Sequence, residues 1–115
     1  MNPEELESTG KAINDLTELV RALLTALPST KPWQRQLRAQ LSDVDGRLQI
    51  LRMTIALERQ DDEIGQAAGQ LLLGLRAANQ YGAGGRTDAA TRAAVKLALH
   101  MGQQISSGIA SPLLE

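Results

Sequence analysis

Leu6, Thr9, Ile13, Leu16, Val20, Leu23 and Leu27 recur at alternating steps of three and four. That spacing returns to one side of a 3.6-residue helix, so it commits the start of the chain to an amphipathic helix. Glu4, Glu7, Lys11, Asp15 and Glu18 fall on the other side, and the acidic first turn suits the helix dipole. Asn2 is the expected cap, and Pro3 fits the first turn.

The segment Pro28-Ser29-Thr30-Lys31-Pro32 punctuates the chain. Proline cannot continue a helix but is tolerated in its first turn, so Pro28 stops the first helix and Pro32 opens the second. Leu37, Leu41, Val44, Leu48, Leu51 and Ile55 then repeat the same spacing. Gly46 weakens this helix by about 1 kcal/mol, yet the phase is the same on both sides of it, which argues against a break. After Ile55 the phase fails, because its continuation places Glu58 and Asp62 in the core. The next set is Ile64, Ala68, Leu71, Leu75 and Ala78, offset by one residue. A break is therefore expected at Gln60-Asp61-Asp62, with an aspartate as cap, and a bent continuous helix is the alternative.

Gly82-Ala83-Gly84-Gly85 ends the third helix. Thr87 is the expected cap of the fourth, with Asp88 in its first turn. Its apolar stripe reads Ala90, Ala94, Leu97, Ala98, Met101 and Ile105, and Ser111-Pro112 closes it. The reading is one all-α domain spanning 1–115, with helices at 3–27, 32–59, 61–81 and 88–109 and a flexible Gly-rich connection at 82–86. Short connections make neighbours antiparallel, which gives an antiparallel four-helix bundle. A bundle completed by dimerisation would produce the same pattern. Composition agrees: there is no Phe, one Trp and one Tyr, and Leu and Ala dominate the apolar set.

The formal net charge is −1, but it is unevenly spread. Residues 1–30 sum to −3 and residues 31–60 to +3, so these blocks are expected to attract one another in an antiparallel pair, modestly. The chain has no Cys, which excludes disulfides and thiolate metal sites. The N-terminus lacks the basic start and apolar run of a secretion signal, and no stretch reaches membrane-spanning length. The expectation is a cytoplasmic protein with no membrane association. Arg outnumbers Lys nine to three, a bias of GC-rich and so bacterial genomes.

No segment carries a complete catalytic or cofactor motif. Gly84, Gly85, Arg86 and Thr87 lead into a helix start and form a candidate anion site. A nucleotide-binding loop needs glycine at position 80, lysine at 86 and a preceding strand; the chain has Gln80, Arg86 and a helix. Asp43-Val44-Asp45-Gly46 resembles the middle of a calcium loop, but Leu41 and Arg52 stand where acids are required. His100 is the sole histidine and lies among Arg92, Lys96 and Gln103. The carboxylates at 4–5 and 61–63 sit at helix starts, which explains them without catalysis. No enzyme activity, metal or cofactor is expected.

Arg35, Arg38, Arg47 and Arg52 scatter around the second helix rather than forming the focused basic face that phosphate binding uses. More informative are apolar residues that miss the core stripe: Leu72 and Leu73 on the third helix, Val95 and Leu99 on the fourth. A helix apolar on two sides is buried on two sides, so these residues are candidates for a protein interface. Trp33 either packs on the bundle end or serves as an exposed anchor. The leading expectation is a non-enzymatic interaction module, a homodimer with a protein partner. The alternatives are a nucleic-acid-associated subunit and a small-molecule or anion sensor using the Gly-rich loop.

Overall fold

A computed structural model of the chain describes residues 3–84 and 86–110. The expected cap at Asn2, the stop at Ser111-Pro112 and the anion-site residue Gly85 lie outside the described residues. Those described form four helices: α1 (Pro3–Ala26), α2 (Pro32–Ala56), α3 (Asp61–Gly82) and α4 (Ala89–Ala110). Contacts join α1 to α2, α2 to α3, α3 to α4 and α4 back to α1, and among the described residues none crosses a diagonal. The result is a closed antiparallel bundle, 45 × 24 × 19 Å.

The core follows the apolar spacing on α2, α3 and on α1 from Ile13 onward, while Leu6 at the start of the α1 stripe is exposed. Leu16, Val20, Leu37, Leu41, Leu48 and Leu75 are wholly buried along the bundle axis. The first turn is built by polar groups. Gln34 is buried, and its Oε1 accepts from the Thr30 and Lys31 amides at 3.2 and 3.0 Å, fixing the start of α2. Arg38 reaches from α2 to the other side of that turn. Its Nη1 donates to the carbonyls of Leu24 and Leu27, the latter at 2.8 Å, and so satisfies groups that the end of α1 leaves open.

The break between α2 and α3 is sharp, so the bent-helix alternative fails, and α2 ends three residues earlier than expected. Glu58 adopts a left-handed backbone, φ 52°. The Glu58 amide donates to Ile55 O and the Arg59 amide to Thr54 O, at 3.0 and 3.2 Å. This is the six-to-one, five-to-two pattern of a Schellman stop, in which the left-handed position is ordinarily glycine. A glutamate there strains the backbone. Glu58→Gly is expected to raise stability by about 1 kcal/mol, read as a higher urea midpoint at unchanged slope.

On α4 the buried face is rotated from the expected stripe. Ala98 and Ile105 are buried as expected and Ala94 and Met101 pack against the core, but Val95 and Ile109 are buried too, while Leu97 is half exposed. Gly102 shows why. A Cβ on Gly102 would stand 2.2 Å from Leu75 Cδ1, so this glycine faces α3 and lets the two backbones close together. The cap also differs. Asp88, not Thr87, closes the start of α4: its carboxylate accepts from the Thr91 amide at 3.1 Å and the Thr91 hydroxyl at 2.7 Å.

The block sums do not predict one ion pair that joins α1 to α2: Arg21–Asp45, at 3.2 Å, takes its base from the acidic block and its acid from the basic one.

Candidate functional site

The structure separates the residues expected to share an interface. Val95 is 1% exposed and packs over Gly82 between α3 and α4, so it belongs to the core and not to a surface. Leu99 and Trp33 are half-buried and pack against the core. Leu72 is half-buried too. Leu73 alone of this set is well exposed, at 54%.

Leu97 and Leu6 are exposed too, but three other apolar side chains are the most exposed and lie together. Ile50, Met53 and Leu57 keep 60%, 62% and 61% of their area exposed. Their spacing of three and four puts them on one face of α2, roughly opposite the Leu48–Leu51–Ile55 stripe at 100° per residue. They form one wall of a groove of about 520 Å³ between α2 and α3. The other wall is Gln66 and Gln70, Ala67 lines it too, and Arg59 and Glu63 pair at 3.5 Å within the lining. Leu73 continues the α3 row of Gln66 and Gln70 by a further step of three. The signal is present in the spacing, but Ile50 stands beside the core residue Leu51, and Met53 and Leu57 read singly as outliers from the core stripe.

The remaining candidates meet at the bundle end. Trp33, Tyr81, Gly84, Arg86 and Thr87 line one cleft of about 490 Å³ with Pro32 and Gln36. The sole tryptophan and sole tyrosine therefore share a site with one guanidinium. Thr87 is buried, and its amide donates to Gly84 O at 3.2 Å within the turn. The nearby helix start is already served by the chain's own anion. Bonds from the Thr91 hydroxyl, and then from backbone amides, hold the Asp88 carboxyl below its ordinary range. A second anion at that helix end would meet a like charge.

The arginines of α2 are engaged in holding the bundle. Arg35 Nη1 donates to Ser29 O and Thr30 O, and Arg52 Nη2 donates to Asn14 Oδ1 at 2.6 Å. Arg47 pairs with Asp43 at 2.8 Å and donates to Gln70 O at 2.6 Å. Among the described residues no cluster of three His, Asp or Glu is placed to hold a metal, and no helix is long and apolar enough to cross a membrane.

Fold and surface together define a four-helix bundle with an exposed apolar row on the outer side of α2. Comparison with protein-family models, curated proteins and solved structures finds no match to this chain.

Proposed function

We propose that the chain is a non-enzymatic helical interaction module, a small adaptor, chaperone, inhibitor or immunity-type factor acting by surface occlusion or scaffolding. The observation that carries this reading is the row Ile50, Met53 and Leu57, more than half exposed on one face. A single exposed leucine is ordinary, but a contiguous apolar face costs solubility and marks a binding surface. The engagement of Arg35, Arg38, Arg47 and Arg52 with carbonyls and side chains of the bundle weighs against the nucleic-acid alternative.

A tagged chain is expected to retain a protein partner in stoichiometric amount, either a second copy or a foreign chain. Met53→Glu with Leu57→Glu should abolish that retention and leave the helical circular dichroism unchanged, since both residues are exposed. Trp33→Ala should retain it. Retention by the double glutamate variant, or none by the parent chain, overturns the reading.

A further inference from the structure

We propose that the outer face of α2 packs against the same face of a second copy, antiparallel, about a two-fold axis near residue 48. The inference rests on the interaction reading above and names the partner. The face is a single row: Ala39, Ser42, Gly46, Ile50, Met53 and Leu57, every one of them exposed. The steps are three, four, four, three and four, so all six lie on one side of the helix, over about 27 Å. None is charged, and the first three are small while the last three are large.

That order decides the orientation. Antiparallel two-fold packing sets Ala39 against the mate's large end at 57, Ser42 against 53 and Gly46 against 50. Each small residue then receives a large one, and the three pairs repeat on the other side of the axis. A parallel copy would stack large on large and leave voids between small and small, which close-packed interfaces avoid. In this pairing residue i meets residue j and j meets i, and an uncharged row sets no charge against a like charge. The bordering charges, Asp43 and Arg47, neutralise each other at 2.8 Å.

Gly46 supports the same arrangement. Its φ is not positive, and a Cβ placed on it meets nothing within 4 Å. Nothing in the isolated bundle calls for glycine there, and alanine would be better by about 1 kcal/mol. A mate's Ile50 seated over the backbone does call for it. Gly10, Gly65, Gly69 and Gly108 are equally open, but none shares a row with three exposed large apolar side chains. A stable dimer buries about 1,200–2,000 Å² in all. The α2 seam supplies part of this, and the α3 row with Gln66, Gln70 and Leu73 is the surface that extends it.

The 12.4 kDa chain is expected to sediment at twice its mass at micromolar concentration. Gly46→Leu adds apolar surface and suits the isolated helix, yet it should weaken the dimer at least about tenfold by overfilling the seam. Gly46→Leu with Ile50→Ala restores the large-on-small pair and should restore the dimer. The chain lacks cysteine, so register is readable directly. Ala39→Cys and Leu57→Cys chains should cross-link when mixed and not alone, because like positions stand about 27 Å apart across the axis. This readout also decides the matter if Gly46→Leu fails to fold. A monomeric parent chain, a dimer indifferent to Gly46→Leu, or absent cross-links in the mixture overturns the two-fold. If the parent is monomeric while the Met53→Glu, Leu57→Glu chain still loses a foreign partner, the second copy is wrong and the interaction reading stands.

Discussion

Leu75→Ala is expected to lower the unfolding free energy by about 2–5 kcal/mol. Gly102→Ala should lower it by about 1–3 kcal/mol. The two together should cost less than their sum. Leu75 is wholly buried where α3 meets α4, and its Cδ1 occupies the space that a side chain at Gly102 would need. Leucine removal leaves a cavity whose lining loses its contacts. Alanine at 102 has the opposite fault, because it drives a packed leucine off its rotamer. In the double variant the new methyl enters the cavity, and each fault relieves the other. Coupling between contacting residues is commonly about 0.5–3 kcal/mol. A domain of this size has about 5–15 kcal/mol in total, so either single change is large. Urea unfolding of the four chains measures the cycle. Strictly additive losses would show that Leu75 moves aside freely and that glycine does not set the docking of α4.

The same contact explains why α4 is poorly legible in the sequence. On α1, leucine, isoleucine and valine alternate with charged residues, so one phase stands out, and the structure buries Ile13, Leu16, Val20 and Leu23 as that phase requires. On α4, alanine occupies positions on every side, and alanine weights a stripe almost as weakly as glycine. The phase there is chosen by a steric fit to another helix, Gly102 under Leu75, which no local pattern records. The end of α2 is legible for a different reason. The phase failure after Ile55 locates it, whereas the left-handed Glu58 does not, because the expected glycine is absent. Block charge misleads about the α1–α2 contact since it sums over all faces of a helix, while Arg21 and Asp45 are set by the one face that meets.

The candidate surface divides in the same way. Leu73 is legible as a leucine far from its core stripe, and it is exposed. Val95 reads as peripheral because the expected α4 stripe is rotated from the buried face. The aromatic cleft joins Trp33 to Tyr81 and Arg86, which lie far along the chain from it, and only the closure of the bundle brings them together. Ile50, Met53 and Leu57 obey the helical spacing as regularly as the core does. Spacing alone says that two faces of α2 are apolar; which face is covered depends on where α1 and α3 lie.

Arg38→Ala is expected to cost about 2–3 kcal/mol, since the guanidinium makes two charge-assisted bonds to the Leu24 and Leu27 carbonyls from a half-buried position. Those carbonyls close α1, where the helix dipole is negative and a cation is favoured. Arg38→Met keeps most of the apolar stem and should lose nearly as much, which separates the bonds from packing. The partners are uncharged, so the loss should persist in high salt, where an exposed ion pair such as Lys11–Asp15 would fade. Amide exchange should quicken around residues 24–32, where α1 is joined to α2. A change below about 0.5 kcal/mol would place Arg38 among ordinary surface arginines. That result would also matter for function. Arg38, Arg47 and Arg52 weigh against nucleic-acid binding because they are engaged in joining helices. If Arg38 proves dispensable to the fold, its charge is available to phosphate, and a steep salt dependence of nucleic-acid binding becomes the result to seek. If its removal loosens the end of α1 as expected, the positive block of the second helix is a structural clamp, and the uncharged face on its other side is left as the surface that recognises a partner.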